Sequence, residues 1–176
     1  MEQQIENQFV QWLRHALSGC LQPQSNCEAE LLEDDLRSDI PVVAMHENEF
    51  RSKTSDIIVS ATRTQRVDGV ENVVHPCRLR ADLEVRVRTA ALGDDSDSEW
   101  SQASPIHVQR VDAVFAALHQ AKEQEALQFM GGVAGAGPQI YAYCFQGSDS
   151  FTDADRKGRV WTGLWFADFA VGESYG

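Results

Sequence analysis

Gly132 and Gly137 in GGVAGAGP have the spacing of the outer glycines of a phosphate loop, whose backbone amides cradle an anion. The ammonium and hydroxyl that complete such a loop are missing, because Pro138 and Gln139 stand where Lys and Ser or Thr must be. The order is also reversed, helix to strand, so the stretch reads as a connector. Carboxylates on alternate residues in Asp95-Ser96-Asp97-Ser98-Glu99 and in Asp153-Ala154-Asp155 have the spacing that aims oxygens at a calcium ion. The first run has Trp100 in place of the turn glycine and Ile106 in place of the closing glutamate. The second has Lys157 at a ligand position and Leu164 at the closing one. Both read as solvated loops. His15, His46, His75, His107 and His119 show no zinc-binding spacing, and no GxSxG occurs. His75 and Cys77 flank Pro76, but a nucleophile also needs an oriented base. No catalytic, cofactor-binding or metal-ligating residue is assigned, no cofactor is expected, and the chain is not read as an enzyme.

A different chemistry is written in RLRADLEVRVRT, residues 78 to 89. In an extended chain Leu79, Ala81, Leu83, Val85, Val87 and Thr89 fall on one side, with Arg78, Arg80, Asp82, Glu84, Arg86 and Arg88 on the other. The apolar side is the expected core side, packing toward a long helix. Between Arg51 and Arg88 there are eight basic residues against five acidic ones, a local +3 in a chain whose formal charge is −12. That imbalance argues against nucleic-acid binding, which needs positive charge over a broad surface. It suits an assembling molecule whose basic part meets an acidic part of another copy. Arg63, Arg66, Arg78, Arg80, Arg86 and Arg88 are the candidate interface residues, with Trp100 as a candidate aromatic anchor. Asp82 and Glu84 are placed to satisfy some arginines within the sheet, and charge reversal at Arg86 and Arg88 is expected to disturb assembly more than folding.

The chain has 176 residues, enough for one domain with a real core, and 43% of them are apolar, as in a folded globular protein. One domain is expected over 1–176, with an N-terminal helical part at about 2–37 and the sheet and long helix at about 40–171. The N-terminus lacks the basic and apolar run of a signal peptide, and no window has the length of a membrane span. A cytoplasmic setting follows, in which Cys20, Cys27, Cys77 and Cys144 are most simply free thiols; a Cys20–Cys27 bridge is conceivable.

Ile5, Phe9, Trp12, Leu13, Ala16 and Leu17 recur at helical spacing ahead of Ser18-Gly19. Ser25 to Glu28 matches a capping box that opens a short acidic helix. IPVVAM (40–45), DIIVSAT (56–62) and the arginine strand read as three strands, with an Asp68-Gly69 turn signal between the last two. GDDSDSE (93–99) reads as an acidic loop. Ser104-Pro105 is the expected start of the long helix, which runs to about Phe129. Its inner face is Val108, Val111, Val114, Phe115, Leu118 and Ala121, opposite Gln109, Arg110, Gln120 and Glu123. QIYAYCF (139–145) and RVWTGLWFADFAV (159–171) are two more strands, joined by the polar loop QGSDSFTDADRKG. The last is apolar on both faces, as in a strand covered on both sides, and Trp161, Trp165 and Phe169 are core anchors. The expected fold class is α+β: one mostly antiparallel mixed sheet packed against a long helix, with an additional N-terminal helix.

The N-terminal helix, IPVVAM, LRADLEVRVRTAA before an acidic loop, HVQRVDAVFAAL and the closing RVWTGLWFADFAV together resemble the tail terminator, or tail completion, proteins of tailed bacteriophages over about residues 5 to 171. An acidic segment at 25–39 and extended loops at 46–55 and 146–158 depart from the pattern. The resemblance implies a structural virion protein that forms a ring, typically a hexamer, at the head-proximal end of the tail tube. Such a ring stops tube polymerisation and offers a head-joining surface. Its partners would be further copies of itself, the major tail tube protein and a head–tail connector or neck protein. Neither a membrane nor specific nucleic-acid binding is implied, though DNA would pass through the ring. The setting would be the virion tail, assembled in the host bacterial cytoplasm. Another head–tail connector or a stopper is the alternative, and a small-ligand-binding α+β protein or enzyme the remaining one.

Overall fold

The computed structural model describes residues 2–18, 42–47, 55–66, 77–90, 97–119, 121–131, 138–153 and 158–171. The elements are α1 (Glu2–Ala16), β1 (Val42–Ala44) running into a 3-10 turn (Met45–Glu47), β2 (Asp56–Arg66) and β3 (Cys77–Ala90), then α2 (Asp97–Leu118), α3 (Ala121–Gly131), β4 (Gln139–Asp153) and β5 (Gly158–Val171). The five strands form one sheet in the order β1-β2-β3-β5-β4, with only β1 and β2 parallel. The α+β class with a mostly antiparallel mixed sheet is therefore as expected. The acidic helix expected after Ser25, the Asp68-Gly69 turn, residues 93–96 and 132–137, and Cys20 and Cys27 lie outside the described residues. Cys144 is an exposed free thiol.

The period-two pattern of β3 decides the sheet's polarity. Ala81, Leu83, Val85, Val87 and Thr89 are buried, and Trp161, Gly163, Trp165, Ala167 and Phe169 of β5 point to the same side. Among the described residues the helices pack on this side. Ile5, Phe9, Trp12, Leu13 and Leu17 bury the stripe read from their spacing, and Phe9 meets Tyr143 of β4 edge to face at 5.7 Å. On the other face Leu164 is 45% exposed, while Ile58 of β2 and Val160 of β5 are buried. β5 is central in the ladder, and among the described residues the helices pack on one of its faces.

Within α1, Glu6 sits on the buried side among apolar residues. Its carboxylate accepts the backbone N–H of Ala61 at 2.9 Å and lies 2.5 Å from His46 Nδ1. The β2–β3 register slips between Ala61 and Arg63, so the ladder is interrupted at this point. A bulge leaves backbone groups without a cross-strand partner, and Glu6 supplies an acceptor to one of them.

Three elements differ from their sequence expectation. The helix begins at Asp97, before Ser104-Pro105, so the capping pair lies inside it, and residues 97–99 belong to the helix and not to a loop. The helix then ends at Leu118 and restarts at Ala121. Nothing in ALHQAKE marks this break, since it holds neither Gly nor Pro. The last-turn carbonyls that lose their helical partners are satisfied by aromatic donors from other elements. The Trp12 indole N–H donates to Ala117 O at 3.0 Å and the Tyr143 hydroxyl to Leu118 O at 2.7 Å. Burial of that phenol, then the Glu123 charge, raises its pKa above the usual tyrosine value. Finally, β4 continues to Asp153, so the first half of the expected 146–158 loop is strand.

Candidate interaction surfaces

The even-numbered residues of β3 line the opposite sheet face, and the register shows how their charges are used. Arg80 stands directly opposite Asp168 of β5 and donates to it in a bidentate pair, Nε to Oδ1 at 2.6 Å and Nη2 to Oδ2 at 2.9 Å. Its guanidinium also lies 3.9 Å above the centre of the Phe166 ring. The hydrogen bond to Asp168 is the main cause that raises the Arg80 pKa further above its ordinary value. On the other side of β3, Arg88 stands opposite Asp56 of β2 and forms the equivalent fork, with Nε 2.6 Å from Oδ1 and Nη2 bonded to Oδ2. This pair is largely withdrawn from solvent, whereas Arg86 donates to Glu84 on its own strand at 2.5 Å and stays half-exposed.

Of the candidate interface residues, the structure thus gathers Arg80, Arg86 and Arg88 on one face, each already holding a carboxylate. Glu84 was visible as a partner in the sequence; Asp56 and Asp168 were not, because only the strand register brings them opposite. Arg63 lies opposite Asp82, Arg66 opposite Leu79 and Arg78 opposite Ala170 in the ladder, and Trp100 is on α2; the side chains of these four are outside the described residues.

A second site was missed by sequence reasoning. The inner face of α2 is rotated from the one expected: Val108 is 52% exposed, while His107 and Arg110, the latter expected on the outer face, are buried. Thr89 of β3 joins them, its hydroxyl 2.8 Å from His107 Nδ1 and accepting from Arg110 Nη1 at 3.2 Å. The geometry is satisfied when Thr89 donates its own proton to an unprotonated Nδ1. Above this group, between α2 and the outer half of the β4–β5 hairpin, lies a cleft of about 290 Å³, and its walls include Val108, Val111, Ser150, Phe151, Arg159 and Trp161. Among the described residues no Asp or Glu lines it. The only signal in the sequence was a histidine and an arginine three residues apart on a helix otherwise read as amphipathic.

Burial, followed by the charges of Arg159 and Arg110, pushes the His107 pKa from 6.5 down to about 4. The folded chain therefore keeps His107 neutral where the unfolded chain protonates it. Its contribution to stability is complete above about pH 6.5 and falls as the pH drops toward 4, by on the order of 3 kcal/mol across the window. Urea midpoints measured from pH 7 to pH 4 are expected to decline, and the decline should flatten in His107→Gln. An unchanged slope in that variant would show that other groups carry the acid sensitivity.

Among the described residues no group of three His, Cys, Asp or Glu is arranged to hold a metal ion, and no helix is long and apolar enough to cross a membrane. No protein-family model matches the chain, and no curated protein does. A solved structure, the virion of native gene transfer agent (GTA) particle, is similar to it at 14% identity and a TM-score of 0.40, over 65% of this chain and 69% of that one.

Proposed function

We propose that the chain is a structural virion protein, and more narrowly a tail terminator subunit that assembles as a ring on the head-proximal end of a phage tail tube. The observation that carries this reading is the order in which the resembling segments fold. LRADLEVRVRTAA falls within or beside β3, HVQRVDAVFAAL ends α2 and RVWTGLWFADFAV makes β5, all within the one sheet-and-helix unit that the resemblance implies. A further support is the outer half of the β4–β5 hairpin, where Ser148, Asp149, Ser150 and Phe151 are all exposed. A strand that extends past its covering helices presents backbone and side chains to a neighbour. Head-to-tail contacts of this kind close into a ring when the rotation permits. The sheet face opposite the helices contributes through Arg86 and the rim of the Arg80 pair, while Arg88 is committed to Asp56.

The test is reconstitution with tubes assembled from the major tail tube protein of the same source. A terminator binds one end of each tube, appears there as a ring in negative stain, and shortens the tube length distribution when present during polymerisation. Indifference of the tubes would reject the terminator role. Binding to a connector or portal ring with no effect on tubes would instead establish the neck-protein alternative.

A further inference from the structure

We infer that the cleft between α2 and the β4–β5 hairpin is a docking site for an acidic, leucine-bearing segment of a second copy of this chain. The inference rests on the reading of the chain as an assembling subunit and assigns one of its contacts. Three features of the cleft point to such an occupant. Among the described residues its polar lining is His107, Ser150 and Arg159, with no carboxylate, in a chain that carries −12 overall. Arg159 is exposed, so its guanidinium is accessible from outside. Its apolar lining includes Val108 and Phe151, which are 52% and 49% exposed, large apolar groups left in water at the mouth of a cationic hollow.

Two copies at −12 repel one another over most of their surfaces, so an approach is favoured where an acidic stretch of one meets the exposed Arg159 at the cleft of the other. The sequence holds a stretch with the matching chemistry, EAELLEDDL at residues 28–36, in which Leu31, Leu32 and Leu36 are interspersed with five carboxylates. A leucine from it would fill the apolar mouth while a neighbouring carboxylate pairs with Arg159. A carboxylate and guanidinium at the edge of an interface set register and encounter rate, whereas the buried apolar group slows dissociation.

A photo-reactive phenylalanine derivative in place of Val108 tests this directly, because that side chain is exposed and its replacement leaves the core intact. Chains labelled with heavy nitrogen are mixed with unlabelled ones, irradiated both free at high concentration and on capped tubes, and the cross-linked peptides are identified by mass. The expected product joins position 108 to residues 28–36 in mixed-isotope pairs. Its yield should fall by about tenfold in Arg159→Glu and survive in Arg159→Lys. Cross-links of a single isotope would put the segment on its own chain and overturn the inference. So would cross-links to other regions, or a yield indifferent to Arg159→Glu. A chain that caps tubes without these cross-links keeps its functional reading and loses this contact; the reverse result keeps the contact and loses the tube-capping role.

Discussion

Arg88→Glu is expected to destabilise the folded chain by about 3 kcal/mol or more, whereas Arg86→Glu costs less than about 1 kcal/mol. Both residues lie on the same face of β3 and both hold a carboxylate, so charge alone does not separate them. Solvent does. In the Arg88–Asp56 pair the side chains are 11% and 6% exposed, against 36% and 26% for Arg86 and Glu84. Reversal at Arg88 leaves Asp56 buried against a second negative charge, with neither water nor a fork to stabilise it. Urea denaturation of the two variants measures the difference, and the swap Arg88→Asp with Asp56→Arg should recover part of the loss. Equal midpoints for the two single variants would refute the buried-pair account. For assembly studies the consequence is practical. Arg86 can be reversed to probe an interface, but loss of assembly in Arg88→Glu would report on folding first.

Gly163→Val should produce a loss of similar size, from packing and not from charge. Gly163 lies on the helix-covered face of β5, two residues from Trp161 and Trp165, and the two indoles meet over it with their centres 6.0 Å apart. A Cβ at this position would fall 2.3 Å from Trp165 Cζ3 and 2.4 Å from Trp161 Cη2. No rotamer change of one ring clears both contacts, since Trp165 is also packed against Phe145 at 5.1 Å. Overpacking of this kind costs about 1 to 3 kcal/mol for a methyl and more for a branched side chain. Thermal melts should rank wild type above Gly163→Ala and that variant above Gly163→Val. In a double-mutant cycle, Trp165→Leu should reduce the penalty of Gly163→Ala, because both substitutions act on one space. Additive losses would place the strain elsewhere.

What was legible in the sequence was whatever a single element's own period decides. The stripe of α1, the alternation of β3 and the core role of Trp161, Trp165 and Phe169 are each set by which residues can face an apolar layer, and each appears in the fold. What was hidden depends on two elements at once. The partners of Arg80 and Arg88 are Asp168 and Asp56, which are distant in the chain and meet only through register. The break after Leu118 has no local signal, because its cause is an indole on α1 and a phenol on β4 that take the freed carbonyls. The rotation of α2 that buries His107 and Arg110 follows from Thr89, a polar residue on the inner side of β3 that was read as part of an apolar row. The extension of β4 through Gly147 and Asp149 was obscured by residues that favour turns, and its register slips between Phe145 and Gly147.

The strand order β1-β2-β3-β5-β4 has a bearing on how the chain is made. β5 pairs with both β3 and β4, yet it emerges from the ribosome after every other element described. Until it does, β4 has no place in the ladder, β3 keeps an open edge, and the indoles that fill the centre of the core do not exist. The nascent chain cannot settle its sheet in stages from the N-terminus; it must hold α1 to α3 and β4 in reserve for one late insertion across a long sequence separation. Translation that stalls before residue 158 therefore yields no smaller version of this fold, only a chain with two unfinished sheet edges for chaperones or proteases to find.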